Sequence, residues 1–324
     1  MKTPTKLFLA ISIACSSPVA FNLAQADEFV LAHGATPGNP RYEAAELFAN
    51  LVPSCSSDLS VSVAPSATMG DDAEMLTSAT AGIIQMSVNS QGAVAQIIPE
   101  VGAIGLPFLF ENEAEAWRVL DGPIGAKLDQ KAQRAGLKII AFWDNGFRNV
   151  THSEKFITKP ADLKGMKIRT PPDQVALDIF KELGASPAPL AWSELPTALQ
   201  SGTFDGQENP LTNIYSAKLH EITPFISMTG HQYQSNPVVA SLMWWNGLSD
   251  SDKACITDSA EQAGWYQRGS NLIANQKLRQ VIEDEGGKFA EVDHAAFAKA
   301  TQPVIEKYQK KLGSFVDELK ASVQ

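Results

Sequence analysis

Apolar and polar residues along this chain alternate with two periods, and the switches between those periods lay out its elements. Residues 29–32 (Phe-Val-Leu-Ala) are a short apolar run that predicts a strand. Asn39-Pro40 follows, an N-cap residue with proline at the first helical position. Behind it Ala44, Phe48, Leu51 and Val52 recur at helical spacing. Leu59, Val61 and Val63 alternate with serines as a strand does. Asp71 and Glu74, three apart, predict a capping box at the start of the next helix, and 83–88 predicts another strand. Strand, helix and strand in that order imply parallel pairing with helices covering the sheet.

The pattern resumes further on. Residues 138–143 and 167–169 predict strands. Val175, Ala176, Ile179, Phe180 and Leu183 stripe one face of a helix that stops at Gly184. Ser193 is placed to cap a short helix ending near Gly202, and 204–208 predicts the strand after it. A helical stretch without proline, with Gly264 inside it, then runs over 251–285 until Gly286-Gly287 stops it. That length suits a helix bracing two lobes. No internal repeat, low-complexity tract or flexible linker interrupts the chain, so the lobes should be joined by regular elements and not by a tether. The expected fold class is α/β, two-lobed, with a long bracing helix. Lobe I is mainly 27–150 and lobe II mainly 151–245. The long helix with its flanks covers 249–287, and a C-terminal helical segment covers 288–324.

The first 26 residues change the setting. Lys2 and Lys6 precede a brief apolar run over 7–14, and Ala24-Gln25-Ala26 is a small-x-small cleavage site. This predicts a signal peptide over 1–26, a mature chain beginning at Asp27 and a periplasmic location. The apolar run is far short of the ~20 residues that span a bilayer. Cys15 is a poor lipid-attachment site, because Ser12 stands where such sites carry an aliphatic residue. Losing Lys2 and Lys6 takes the net charge from −10 to −12. So acidic a protein is poorly suited to bind nucleic acid or an anionic membrane. An anionic ligand would have to be held by a few buried cations. The mature chain keeps Cys55 and Cys255, which an oxidising compartment could pair or leave as free thiols. The five histidines are scattered, so neither a metal site nor a cofactor is expected.

Catalytic signatures are missing: there is no G-x-G-x-x-G, no G-x-x-x-x-G-K-[ST], no G-x-S-x-G and no H-E-x-x-H. Binding is therefore expected over catalysis. Arg169 closes a predicted strand just before Thr170-Pro171-Pro172, and ligands of open parallel sheets collect at such strand ends. A guanidinium there can grip a carboxylate with two parallel hydrogen bonds. Asn209, before Pro210 at another strand end, offers both a donor and an acceptor. Arg148 could be a second cation, and Trp192 could supply an apolar wall. Each of these residues alone reads as readily as an ion-paired arginine, a turn asparagine or a core tryptophan.

Together they resemble the solute-binding proteins of tripartite ATP-independent periplasmic (TRAP) transporters, of the C4-dicarboxylate type. The similarity runs over nearly the whole mature chain. It includes Ala64-Pro65-Ser66 through Met69-Gly70-Asp71-Asp72, and Gly105-Leu106-Pro107-Phe108. It continues over residues 160–169 (Pro-Ala-Asp-Leu-Lys-Gly-Met-Lys-Ile-Arg) and 206–210 (Gly-Gln-Glu-Asn-Pro). The resemblance implies a two-lobed periplasmic-binding-protein fold closing around an organic acid, with Arg169 on the carboxylate and Asn209, Arg148 and Trp192 lining the site. It further implies contributions from the segments around His33, Asp72 and Ser90. The implied partners are a small organic acid and the membrane permease subunits, and the protein is expected to be a monomer. Sialic-acid-binding members carry an acid and a base in the segment matching 89–93, which here is neutral, so that ligand is not expected. A hydroxylated sugar acid such as a uronate or aldonate is the leading expectation. A dicarboxylate or 2-oxo acid, held by Arg148 and Arg169 together, is the runner-up. A periplasmic sensor or enzyme acting on organic acids is the alternative from outside the class.

Overall fold

The computed structural model describes residues 27–323. The signal segment and its cleavage point lie outside the described residues. Among those residues the strands are β1 (Asp27–His33), β2 (Leu59–Ala64), β3 (Met86–Val88), β4 (Leu137–His152), β5 (Lys167–Thr170), β6 (Ser186–Pro189), β7 (Gly206–Asn209), β8 (Phe225–Ser241) and β9 (Lys288–Ala290). They form one sheet in the order β2-β1-β3-β8-β4-β7-β5-β6, with β9 beside β8. β1 pairs in parallel with β2 and β3, and β5 with β6 and β7, as the strand–helix–strand order predicts.

The centre of the sheet departs from that expectation. β4 and β8 are antiparallel along nearly their whole length. The far end of β8 pairs with β3 and the far end of β4 with β7, so these two strands pass through both halves of the molecule. Register shifts interrupt their pairing at 139/141, 144/146 and 148/150, and such shifts bend and twist a ladder locally. The strand expected over 138–143 is only the beginning of β4. β3 starts at Met86, three residues later than expected, and Ile83 is left exposed in the preceding turn. The segment over 288–324 opens with a strand, β9, before helices His294–Leu312 and Ser314–Val323.

Helix Pro40–Cys55 begins as read: the Asn39 side chain accepts from Arg41 N at 2.9 Å, with Pro40 behind it. The long helix spans Asp250–Asp284, 35 residues, and the Ser249 side chain caps it by accepting from Asp252 N. Its first half packs Ile256, Ala260 and Ala263 into a core with Phe29, Phe48 and Trp143. Its last turns pack Leu278 and Ile282 with Leu195, Leu211 and Ile226 of the other half. The helix therefore braces both lobes through their cores. Cys55 and Cys255 are bonded, with Cα atoms 5.6 Å apart, which settles the alternative between a disulfide and two free thiols. The bond ties the end of helix Pro40–Cys55 to the first turns of the brace.

Candidate ligand site

A cleft opens between the halves where β5 and β7 end, and its walls come from both lobes. Six of the seven expected residues, Arg148, Arg169, Trp192, Asn209, Asp72 and Ser90, line it. His33 does not. It is fully buried, its Nδ1 accepts from Ala35 N at 3.1 Å, and burial followed by Arg41 pulls its pKa down to about 3. The neighbouring Gly34 takes the place on the wall that was expected of His33.

Arg169 is 1% exposed at the end of β5. Its Nε and Nη2 donate to the single carbonyl oxygen of Leu190, at 3.0 and 2.6 Å. That bond fixes the plane of the guanidinium but supplies no counter-ion. Burial, opposed by Glu208 and more weakly by Asp72 and Asp71 and aided by Arg148, pushes the pKa down to about 9, so the group is charged at neutral pH without a direct ion pair. Arg148 differs. Its Nε and Nη2 grip both carboxylate oxygens of Glu208, and its Nη1 donates to Gln234 Oε1 at 2.9 Å. Burial alone would raise the Glu208 pKa, but Arg148 and His231, whose Nε2 is 3.3 Å away, hold it below the usual range. Arg148 therefore reaches the cleft with its charge already matched, which weakens the idea that it and Arg169 each hold one carboxylate.

Asn209 accepts from Asn213 Nδ2 at 3.1 Å, and Asn213 accepts in turn from Asn39 Nδ2 at 2.8 Å. This amide chain links strand β7 to the cap of helix Pro40–Cys55 in the opposite lobe. Ser90 donates to Asp72 Oδ2 at 2.6 Å, and Ser90 N and Asn89 Nδ2 donate to Asp72 Oδ1. Trp192 packs against the core around Leu195 and also faces the cleft, so the core and ligand readings of this residue both apply.

Two predicted helix caps are used differently. Asp71 stands at the N-cap of helix Asp72–Thr80 but makes no capping bond. Ser193 makes none to helix Leu195–Gln200, whose N-cap is Glu194. They meet each other across the cleft mouth instead: Ser193 Oγ donates to Asp71 Oδ2, and Ser193 N donates to Asp71 Oδ1 at 3.2 Å. The lobes are in contact here, a closed arrangement. The sequence reading also missed Arg41, which lines the cleft from the first turn of its helix. A charged residue behind a proline at a helix start reads as solvent-facing, and the only local signal was its position in the turn after His33-Gly34.

Two α/β halves hinged by shared strands, with a buried arginine between them that has no direct ion pair, define a solute receptor of the periplasmic-binding-protein kind. More narrowly, the chain belongs to the bacterial extracellular solute-binding proteins, family 7, whose model matches residues 31–311. These are the receptors of TRAP transporters, which makes this a periplasmic protein. It is 44% identical over 283 residues to the uncharacterized protein y4mM of Sinorhizobium fredii, covering 85% of this chain and about half (51%) of that longer relative. It is 34% identical over 266 residues to the 2,3-diketo-L-gulonate-binding periplasmic protein YiaO of Escherichia coli, covering 82% of this chain and 81% of that one. Among solved structures, the sugar acid binding protein of Advenella mimigardefordensis in complex with galactonate superposes with a TM-score of 0.89 at 33% identity. That match covers 92% of this chain and 98% of the other.

Proposed function

We propose that this receptor binds a hydroxylated sugar acid, with the carboxylate on Arg169, and delivers it to a TRAP permease without transforming it. The observation that carries the reading is the Arg169 guanidinium, buried, oriented by the Leu190 carbonyl and lacking a counter-ion. A buried charge of that kind is expensive until an anion arrives. Asn209, Asn213 and Ser90 supply the amide and hydroxyl groups that a polyol chain needs, and Trp192 covers an apolar face. Relatives named for a diketogulonate and solved with galactonate bind ligands of this chemistry. The receptor acts as a monomer and needs no metal or cofactor for this task.

A thermal-shift panel of aldonates, uronates, aldarates, short dicarboxylates and 2-oxo acids identifies the ligand class, and calorimetry then tests the anchor. Removing one partner of a buried, hydrogen-bonded charge pair costs ~2–5 kcal/mol, roughly 30- to several-thousand-fold in affinity. Arg169→Ala should therefore nearly abolish binding of every acid that stabilises the wild type. Arg169→Lys should keep the charge, lose the fork and still bind markedly more weakly. Binding by Arg169→Ala within about threefold of wild type would sink the mechanism.

A further inference from the structure

We infer that Arg41 is a second ligand-contacting cation and sets specificity: it takes an anionic group at the ligand end remote from Arg169, so the preferred sugar acid carries two carboxylates. The inference rests on the sugar-acid reading of the cleft and adds which kind of sugar acid. Arg41 is more than nine-tenths buried and lines the cleft from the first lobe, opposite Arg169. Nothing local favours a cation there, because the first turn of a helix is the positive end of its dipole. Its Nη1 donates to Asn236 Oδ1 at 3.0 Å, while its Nε is buried without a hydrogen-bond partner. Among the described residues no carboxylate lies within ion-pair distance. Burial pulls its pKa down, and Asp72 works in the opposite direction. Asp72 itself is committed, since Asn89 and Ser90 occupy both of its oxygens.

Three arginines thus line the cleft, and of the three only Arg148 has an internal counter-ion. A guanidinium donates and does not accept, so whatever meets Arg41 must be an acceptor. A carboxylate relieves a buried, unpaired cation far more than a hydroxyl does. A ligand with an acid at each end would satisfy both free cations and would do so from opposite lobes.

Galactonate and galactarate form the matched test, differing only in whether C6 is a primary alcohol or a carboxylate. Calorimetry should find galactarate bound at least about tenfold more tightly by the wild type. Arg41→Gln keeps a donor for Asn236 but removes the charge, and should bring the two acids within about threefold of each other. Arg41→Lys should keep a clear preference for the diacid, and decides the matter together with the wild-type ratio if Arg41→Gln does not fold. A wild type that prefers galactonate, or a diacid preference unchanged in Arg41→Gln, overturns the role of Arg41. If galactonate binding still depends on Arg169, the receptor reading survives that result. A wild type that binds no acid of the panel removes both.

Discussion

Arg148 and Arg169 line the same cleft, yet only the first meets a carboxylate. The difference lies in neighbouring strands: Arg148 on β4 faces Glu208 on β7, while Arg169 on β5 pairs in register with Gln207. Sixty residues separate Arg148 from Glu208, which is why sequence spacing gave no warning of the pair. Glu208→Gln would leave Arg148 buried without its counter-ion, and loss of one partner of a buried pair destabilises by about 3–5 kcal/mol. The pH dependence follows from the lowered Glu208 pKa. A carboxyl whose pKa is lowered by folding stabilises fully above its unfolded value, near 4.3, and loses that contribution as pH falls through the folded value. The melting-temperature gap between wild type and Glu208→Gln should therefore be widest at neutral pH and should narrow below about pH 4. A gap that stays constant from pH 7 to pH 3 would mean the carboxylate's charge contributes nothing.

Strands β1, β2, β5 and β7 and the helices over 40–55, 72–80, 174–182 and 250–284 were legible, whereas edge strand β6, β9, the helices over 91–134 and the centre of the sheet were not. β8 carries His231, Gln232, Gln234, Ser235 and Asn236 in succession, none more than 2% exposed. With polar side chains buried on both faces, the stretch over 231–236 offers neither an alternation nor an apolar run, the two signals by which strands are read. These groups serve the site: Gln234 holds Arg148, and Asn236 holds Arg41. The same demands explain Arg41 and the two diverted caps, whose partners lie in the other lobe. The long helix was plain from its length, but Gly264, one of its two glycines, was not explained until Trp143 came into view. A Cβ on Gly264 would stand 2.9 Å from Trp143 Cδ1, and that indole is pinned by its hydrogen bond to Ala260 O at 2.9 Å. Alanine in a helix interior ordinarily gains up to ~1 kcal/mol over glycine. Gly264→Ala should nonetheless lower the melting temperature, by calorimetric scanning, because overpacking a rigid core costs about 1–3 kcal/mol. The disulfide at the other end of the contact is a separate prop. Its partners are 200 residues apart, and closing so long a loop stabilises by about 2–5 kcal/mol. Cys55→Ser/Cys255→Ser should therefore melt roughly 5–10 °C lower. It should bind its acid unchanged, since neither cysteine lines the cleft.

On the scale of the whole molecule, a ligand gripped by both lobes closes them, because it binds the closed arrangement better than the open one. The rim bond between Asp71 and Ser193 belongs only to that arrangement. Ser193→Ala should weaken all ligands by a similar, modest factor, about 3- to 10-fold for a hydrogen bond to a charged acceptor near the surface. That uniformity separates it from Arg41→Gln, which should act on one ligand class. Unequal losses across aldonates and aldarates would show that Ser193 reads the ligand and not the closure. Asp71 and Ser193 each stand at the start of a helix that is left without a side-chain cap. When the lobes part, Asp71 is released to cap its own helix, a contribution of about 1 kcal/mol. Opening therefore recovers only part of what the rim bond supplies, and the rim is a weak latch. The residence time of the cargo is then governed by the cargo's own grip on the arginines. A partner that prised the lobes apart would work against this weak latch and, above all, against the cargo's own contacts.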